Sequence, residues 1–182
     1  LYYRMPGIKI ASPMTPKEYL SVYKKFMKDD NVYYISEHRK SYDNSLELKD
    51  ILNYNRLDII IFAISITRFE SLKAKKILNK KGIKVGIANI LWLKPLKIKK
   101  LWLQALIKSK SGGIVIDDDY EDGVAKNIAN DLSILSGKKI YTMGLKNRTA
   151  GFHSKVDNLP PSSTEISKKI FKILRFNLSK KK

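Results

Sequence analysis

"DIIIFAISITRFESLKAKKILNKKGIKVGIANI", residues 58–90, decides the fold. The opening "DIIIFAISI" is an unbroken apolar run of strand length, the mark of a strand buried on both faces. Thr67 and Glu70 have the spacing of a capping box, which predicts a helix running to about Lys81. "GIKVGIANI" then returns as a second apolar strand.

The same rhythm continues downstream. Pro95 precedes a predicted helix with Ile98, Leu101, Trp102, Ala105 and Leu106 on one side. "GGIVIDD" is a third strand, and Val124, Ile128, Leu132 and Leu135 stripe a third helix that Gly137 ends. "KKIYTMGL" is a fourth strand. Ser162 and Glu165 cap a last helix with Ile166, Ile170, Ile173 and Leu174 inward. Strands alternating with helices predict an α/β three-layer sandwich with a mainly parallel sheet over residues 58–178. Residues 179–182 read as a frayed tail.

Upstream, "GIKIA" predicts a short strand. Thr15 as N-cap, Pro16 in the first helical position and Glu18 closing a capping box predict a helix. Its apolar stripe is Tyr19, Val22, Tyr23, Phe26 and Met27, and "NVYYISE" is the next strand. Residues 1–45 thus form a strand–helix–strand piece of a second α/β domain, and the polar residues 46–57 a linker. The chain opens at Leu1 in what looks like the inside of a fold, so we expect a natural N-terminal part to precede it.

At 43% hydrophobic the chain can build a substantial core. No apolar run approaches the 18 or so residues of a membrane span. With no cysteine, disulfides, thiolate metal sites and thiol catalysis are excluded, and a reducing cytoplasm fits. The net charge of +19 raises nucleic acid or another anionic partner as an alternative function. Between Ser71 and Ile116 there are twelve lysines and no acid. Most of these lysines fall on the polar sides of predicted helices, and they are not interleaved with aromatics, so solvated faces are the simpler reading.

In parallel sheets, sites gather beyond the carboxyl ends of strands. The five carboxylates of Asp117–Asp122 lie at one such end. A metal there needs three or more converging oxygens, but consecutive strand residues face opposite ways, so Asp117 and Asp118 should diverge. A receiver-like phosphoacceptor needs a second acidic strand end, and the other strands end in Ser65-Ile66-Thr67, Ile90-Leu91 and Gly144-Leu145. Capping of the next helix by Asp119 or Asp122, or pairing with basic groups, remains. His38 and His153 have no nucleophile at recognisable spacing, and no phosphate-binding glycine motif is present. No catalytic constellation is complete.

The order of segments carries a resemblance. "MPGIKIASPMTPKEYLSVYKKFMKDDNVYYISEHRKSY" is similar to the end of the pyrimidine-binding domain in transketolase-like proteins and 2-oxoacid dehydrogenase beta subunits. "DIIIFAISITRFESLKAKKILNKKGIKVGIANILWLKPL", "GIVIDDDYEDGVAKNIAN" and "DNLPPSSTEISKKI" resemble the family's C-terminal domain in the same order. The resemblance spans about residues 5 to 175. It implies thiamine diphosphate with magnesium in the full enzyme, bound between two domains of a dimer and not by this chain alone. It places the activating glutamate, the dehydrogenase histidine and the diphosphate-binding domain outside this chain. The chain would contribute dimerisation and the architecture of the active-site entrance to a transferase or oxidoreductase. Its partner would be a second copy or an alpha-type subunit. The resemblance further implies a potassium ion held by the carbonyls of Phe26, Met27 and Asp29 with Asn31. Lys97, where the family has an acid, and "NRTAGFHSKVDNLPP" depart from the pattern and leave substrate and subfamily open.

Overall fold

The computed structural model describes residues 2–52, 56–149 and 158–179. In chain order the elements are β1 (Lys9–Ala11), α1 (Pro16–Phe26), β2 (Tyr33–Ile35), β3 (Ile59–Ile64), α2 (Thr67–Asn79), β4 (Val85–Ile90), β5 (Trp92–Lys94), α3 (Lys100–Lys108), β6 (Gly113–Tyr120), α4 (Val124–Ser136), β7 (Ile140–Leu145) and α5 (Ser163–Ser179).

The main sheet has strand order β4-β3-β6-β7, and every pairing is parallel. β3 is buried along its whole length, as its unbroken apolar run requires. Its side chains alternate between two cores. Ile60, Phe62 and Ile64 meet Trp102 and Leu106 of α3 and Ala125, Ile128 and Leu132 of α4. Ile59, Ile61 and Ala63 meet Ala74 and Leu78 of α2 and Ile166, Ile170 and Ile173 of α5. The result is the expected three-layer sandwich, with α2 and α5 on one side and α3 and α4 on the other.

A second sheet, β2-β1-β5, joins the N-terminal segment to the α/β domain. β1 pairs with β2 in parallel, and β5 adds antiparallel to β1. β5 lies just after β4 and was not foreseen, because "WLK" is too short to carry a periodicity. The segment after β2 is pinned rather than loose: Ile51 bridges Ile87 in β4, and Leu52 and Leu57 are buried.

Local expectations met mixed outcomes. Thr15 caps α1 through its hydroxyl, and Ser162 and Glu165 close a capping box on α5. Gly137 ends α4 in the left-handed conformation. The box foreseen at Thr67 and Glu70 is absent. α2 starts without a side-chain cap; the Thr67 hydroxyl donates to the carbonyls of Ile64 and Ile116, and Glu70 turns to Lys73 and Ser163. Five stripe residues face out: Tyr23 and Phe26 on α1, Met27 just beyond it, Leu101 on α3 and Leu135 on α4. Of the α1 stripe only Val22 is buried. Tyr19 and Tyr23 instead use their hydroxyls, bonding Ser41 and Glu37 at 2.7 Å. Of the expected tail, Ser179 belongs to α5 and 180–182 lie outside the described residues.

Candidate functional site

The chain passes from β3 to β4 on one side and then crosses to β6 on the other. The carboxyl ends of β3 and β6 therefore flank the switch point, where such sheets open a crevice. A crevice of about 150 Å³ lies there. It is lined on one side by Ser65 and Asp117–Asp119, and on the other by Tyr34 of β2, Ser12 and Ser36 just after β1 and β2, and Tyr2 near the N-terminus. Tyr2 and Tyr34 stack with ring centres 4.4 Å apart.

Ser65 is the one non-glycine residue with positive φ among the described residues, at 52°. That conformation turns the chain from β3 into α2 and carries the hydroxyl across the switch point, where it donates to Asp118 Oδ2 at 2.6 Å. Asp117 is buried, at 3% exposure. Burial, then the neighbouring charge and hydrogen bond of Asp118, push its carboxyl up to about 8. The expected divergence of Asp117 and Asp118 does not occur. The β6–β7 register shifts between Ile116 and Tyr120, breaking the strict alternation, and the Asp118 N–H donates to Asp117 Oδ1 at 2.9 Å.

The remaining acids pair locally. Asp122 meets Lys126 at 3.0 Å and Glu121 meets Lys146 at 3.0 Å. Neither Asp119 nor Asp122 caps α4. Asp119 accepts from the Tyr120 N–H, and the residue that precedes α4 is Gly123, which has no side chain to cap it. Among the described residues no group of three or more His, Asp or Glu side chains could hold a metal ion. Asp118 is held by Ser65, Asp122 by Lys126 and Glu121 by Lys146, so the loop offers no converging set of carboxylate oxygens for the metal of a diphosphate site.

The other sequence candidates lie apart from the crevice. His38 Nδ1 accepts from the Lys40 N–H at 3.2 Å, capping a short 3-10 turn. His153 lies outside the described residues. Phe26, Met27, Asp29 and Asn31 gather at the end of α1. The Phe26 carbonyl accepts from the Asp29 N–H at 3.2 Å. The Asp29 carboxylate receives the Lys9 ammonium, the Asn31 amide and the Tyr33 hydroxyl. The first of these holds it well below the usual carboxylate range. Main-chain oxygens at a helix end are the right kind of donor for a hard cation, and the Lys9 ammonium already supplies a positive charge at this turn.

Sequence reasoning missed the most elaborate polar cluster. Arg68, wholly buried in α2, grips both oxygens of Glu18 at 2.7 and 2.6 Å and donates through Nε to Asn89 at 3.2 Å. Glu18 also accepts the Met14 N–H, and the Asn89 N–H donates to Asp50. One cluster thus ties α1, α2, β4 and the segment between β2 and β3. An arginine in the first turn of the helix that follows a buried strand was its signal, since arginine is almost never fully buried unless paired.

Residues 52–154, more than half of the chain, match the family model for the transketolase C-terminal domain. The pyruvate dehydrogenase E1 component subunit beta of Bacillus subtilis (strain 168) is 27% identical over 147 residues, covering 73% of this chain and 45% of that protein. The chain spans about half the length of this curated relative. Among solved structures, a split-gene transketolase, described as an inactive beta4 tetramer, superposes with a TM-score of 0.71 at 17% identity, over 96% of this chain and 59% of that one. A mutant transketolase from Pichia stipitis, in complex with xylulose 5-phosphate, superposes with a TM-score of 0.69 at 16% identity, over 98% of this chain and 27% of that one. The parallel β4-β3-β6-β7 sheet with helices on both sides is the architecture matched, and the chain belongs to the transketolase C-terminal domain family, which also takes in the 2-oxoacid dehydrogenase beta subunits.

Proposed function

We propose that this chain is the C-terminal portion of a thiamine-diphosphate-dependent subunit of transketolase or 2-oxoacid dehydrogenase beta type. Its part is architectural: it dimerises and shapes the entrance to an active site whose catalytic groups lie on other segments. The observation that carries this reading is the reach of the fold likeness. It extends beyond the family domain to β1, α1 and β2, covering 96% of the chain. Residues 1–45 then close a pyrimidine-binding domain, 46–57 connect, and 58–178 form the C-terminal domain. The cofactor and its magnesium belong to the complete assembly, with a second copy or an alpha-type subunit completing the site. A cytoplasmic setting suits a chain without cysteine.

The test is an assay of the purified chain with pyruvate, thiamine diphosphate and magnesium, alongside sedimentation of the same sample. We expect a dimer and no decarboxylation. Turnover by the chain alone overturns the architectural role, and a monomer at tens of micromolar overturns the dimer.

We also propose potassium at the turn of Phe26, Met27, Asp29 and Asn31. Its support is the resemblance and the kind of donors present. Thermal melts in potassium, sodium and choline chloride at equal ionic strength check it. We expect the highest midpoint in potassium, and identical curves remove the site.

A further inference from the structure

The outer faces of α2 and α5 carry cations in matching rows. On α5, Ile166, Ile170 and Ile173 are buried while Lys168, Lys172 and Arg175 face solvent. On α2, Ala74 and Leu78 are buried, while Lys73, Lys76 and, just past its end, Lys80 face solvent. The helices pack against each other through one apolar cluster. They run in the same direction: Ser163 at the start of α5 donates to Glu70 near the start of α2, and the Lys81 ammonium after α2 lies 4.8 Å from the centre of the Phe171 ring. Each row spans about 10 Å, and packed helices lie about 8–10 Å apart.

Little on this face opposes the charge. Each helix has a single carboxylate, Glu70 or Glu165, in its first turn. Glu70 is engaged by Lys73, and Glu165 by Ser162. The macrodipole favours cations only in a last turn. Lys76 is the basic residue of that turn in α2, and the last turn of α5 has none. The acidic stretch Asp117–Asp122 lies at the carboxyl end of β6, on the side where α2 starts; the rows run away from it.

We propose that this two-helix face binds the phosphate backbone of nucleic acid without sequence preference. The activity stands apart from the thiamine reading. Backbone phosphates are met by lysine and arginine and need no base contact. A protein partner suits the face less well. Interface cores are depleted in lysine and rely on apolar or aromatic anchors. Ile77 is the one large apolar side chain exposed on either helix among the described residues.

The test is fluorescence anisotropy of a labelled, mixed-sequence single-stranded RNA against the full chain, across about 50 to 200 mM salt. The variant Lys76→Gln/Lys80→Gln/Lys172→Gln/Arg175→Gln is compared with Lys24→Gln/Lys28→Gln/Lys97→Gln/Lys100→Gln, which removes the same charge elsewhere. We expect the first to reduce the slope of log affinity against log salt by about 3, at roughly 0.7 per phosphate contact. Its affinity at the lowest salt should fall at least tenfold, while the second keeps most of both. The pair Lys80→Gln/Lys172→Gln, the milder change, should show about half the loss in slope. Equal losses in the two fourfold variants would mean diffuse net charge and overturn the face. Displacement of the RNA by polyglutamate or anionic lipid vesicles at equal charge would overturn nucleic acid as the partner.

Discussion

Arg68 and Asp117 show what a buried charge does when it is matched and when it is not. Arg68 is fully buried, with Glu18 on both Nη atoms and Asn89 on Nε. Arg68→Met leaves Glu18 without its partner, which costs roughly 3–5 kcal/mol when a buried pair is broken from one side. The double variant Arg68→Met/Glu18→Gln removes both charges and should recover part of the loss; urea unfolding of the four-protein cycle reads the coupling. Asp117 has no cation among the described residues. Its folded carboxyl is raised to about 8, so the folded chain keeps a proton that the unfolded chain releases near the ordinary value of 3.8. Folding then binds protons in that window, and stability falls as pH rises from about 4 towards about 8, by at most about 1.4 kcal/mol per pH unit. Asp117→Asn should flatten the stability profile between pH 5 and 8. A variant profile as steep as the parent's would place the titration elsewhere.

At the scale of elements, two left-handed glycines separate conformation from space. A Cβ on Gly112, before β6, would sit 2.1 Å from the Lys139 carbonyl oxygen at φ +74°, whereas one on Gly137, after α4, meets nothing within 4 Å at φ +66°. Gly137→Ala should cost about 1 kcal/mol, the conformational penalty alone. Gly112→Ala should cost several times that, because the β6–β7 start must move. Melts of the two variants compare them directly, and equal costs would mean that the main chain at Gly112 relaxes freely. The same contrast bears on legibility. Gly137 was readable as a stop because it ends a periodic stripe. The Thr67 box was misread because the Thr67 hydroxyl found the Ile64 and Ile116 carbonyls, and only the packed sheet puts Ile116 there. Asp119 and Asp122 likewise lost their capping role to closer donors, Tyr120 N–H and Lys126.

For the whole molecule, the net charge of +19 is the largest long-range quantity. Self-repulsion should make the chain less stable at low salt. Its thermal midpoint should rise between about 0.01 and 0.15 M salt, as the screening length shrinks from about 30 to about 8 Å. A flat or falling midpoint would mean that the local pairs, such as Lys110–Asp58 and Lys99–Asp50, already compensate the excess. From sequence alone came the three-layer sandwich, since unbroken apolar runs such as Ile59–Ile64 must be covered on both faces and the amphipathic helices between them supply the cover. The strand–helix–strand before it was legible from the start signals at Thr15 and Pro16 rather than from the α1 stripe, of which only Val22 is buried. Three features waited for the tertiary structure: the antiparallel docking of β5 on β1, the Glu18–Arg68–Asn89 cluster, and the meeting of Ser65 with Asp118 at the switch point. Each depends on groups tens of residues apart. Their partnership is set by which strand ends the crossovers bring together, and no local pattern of polarity records that.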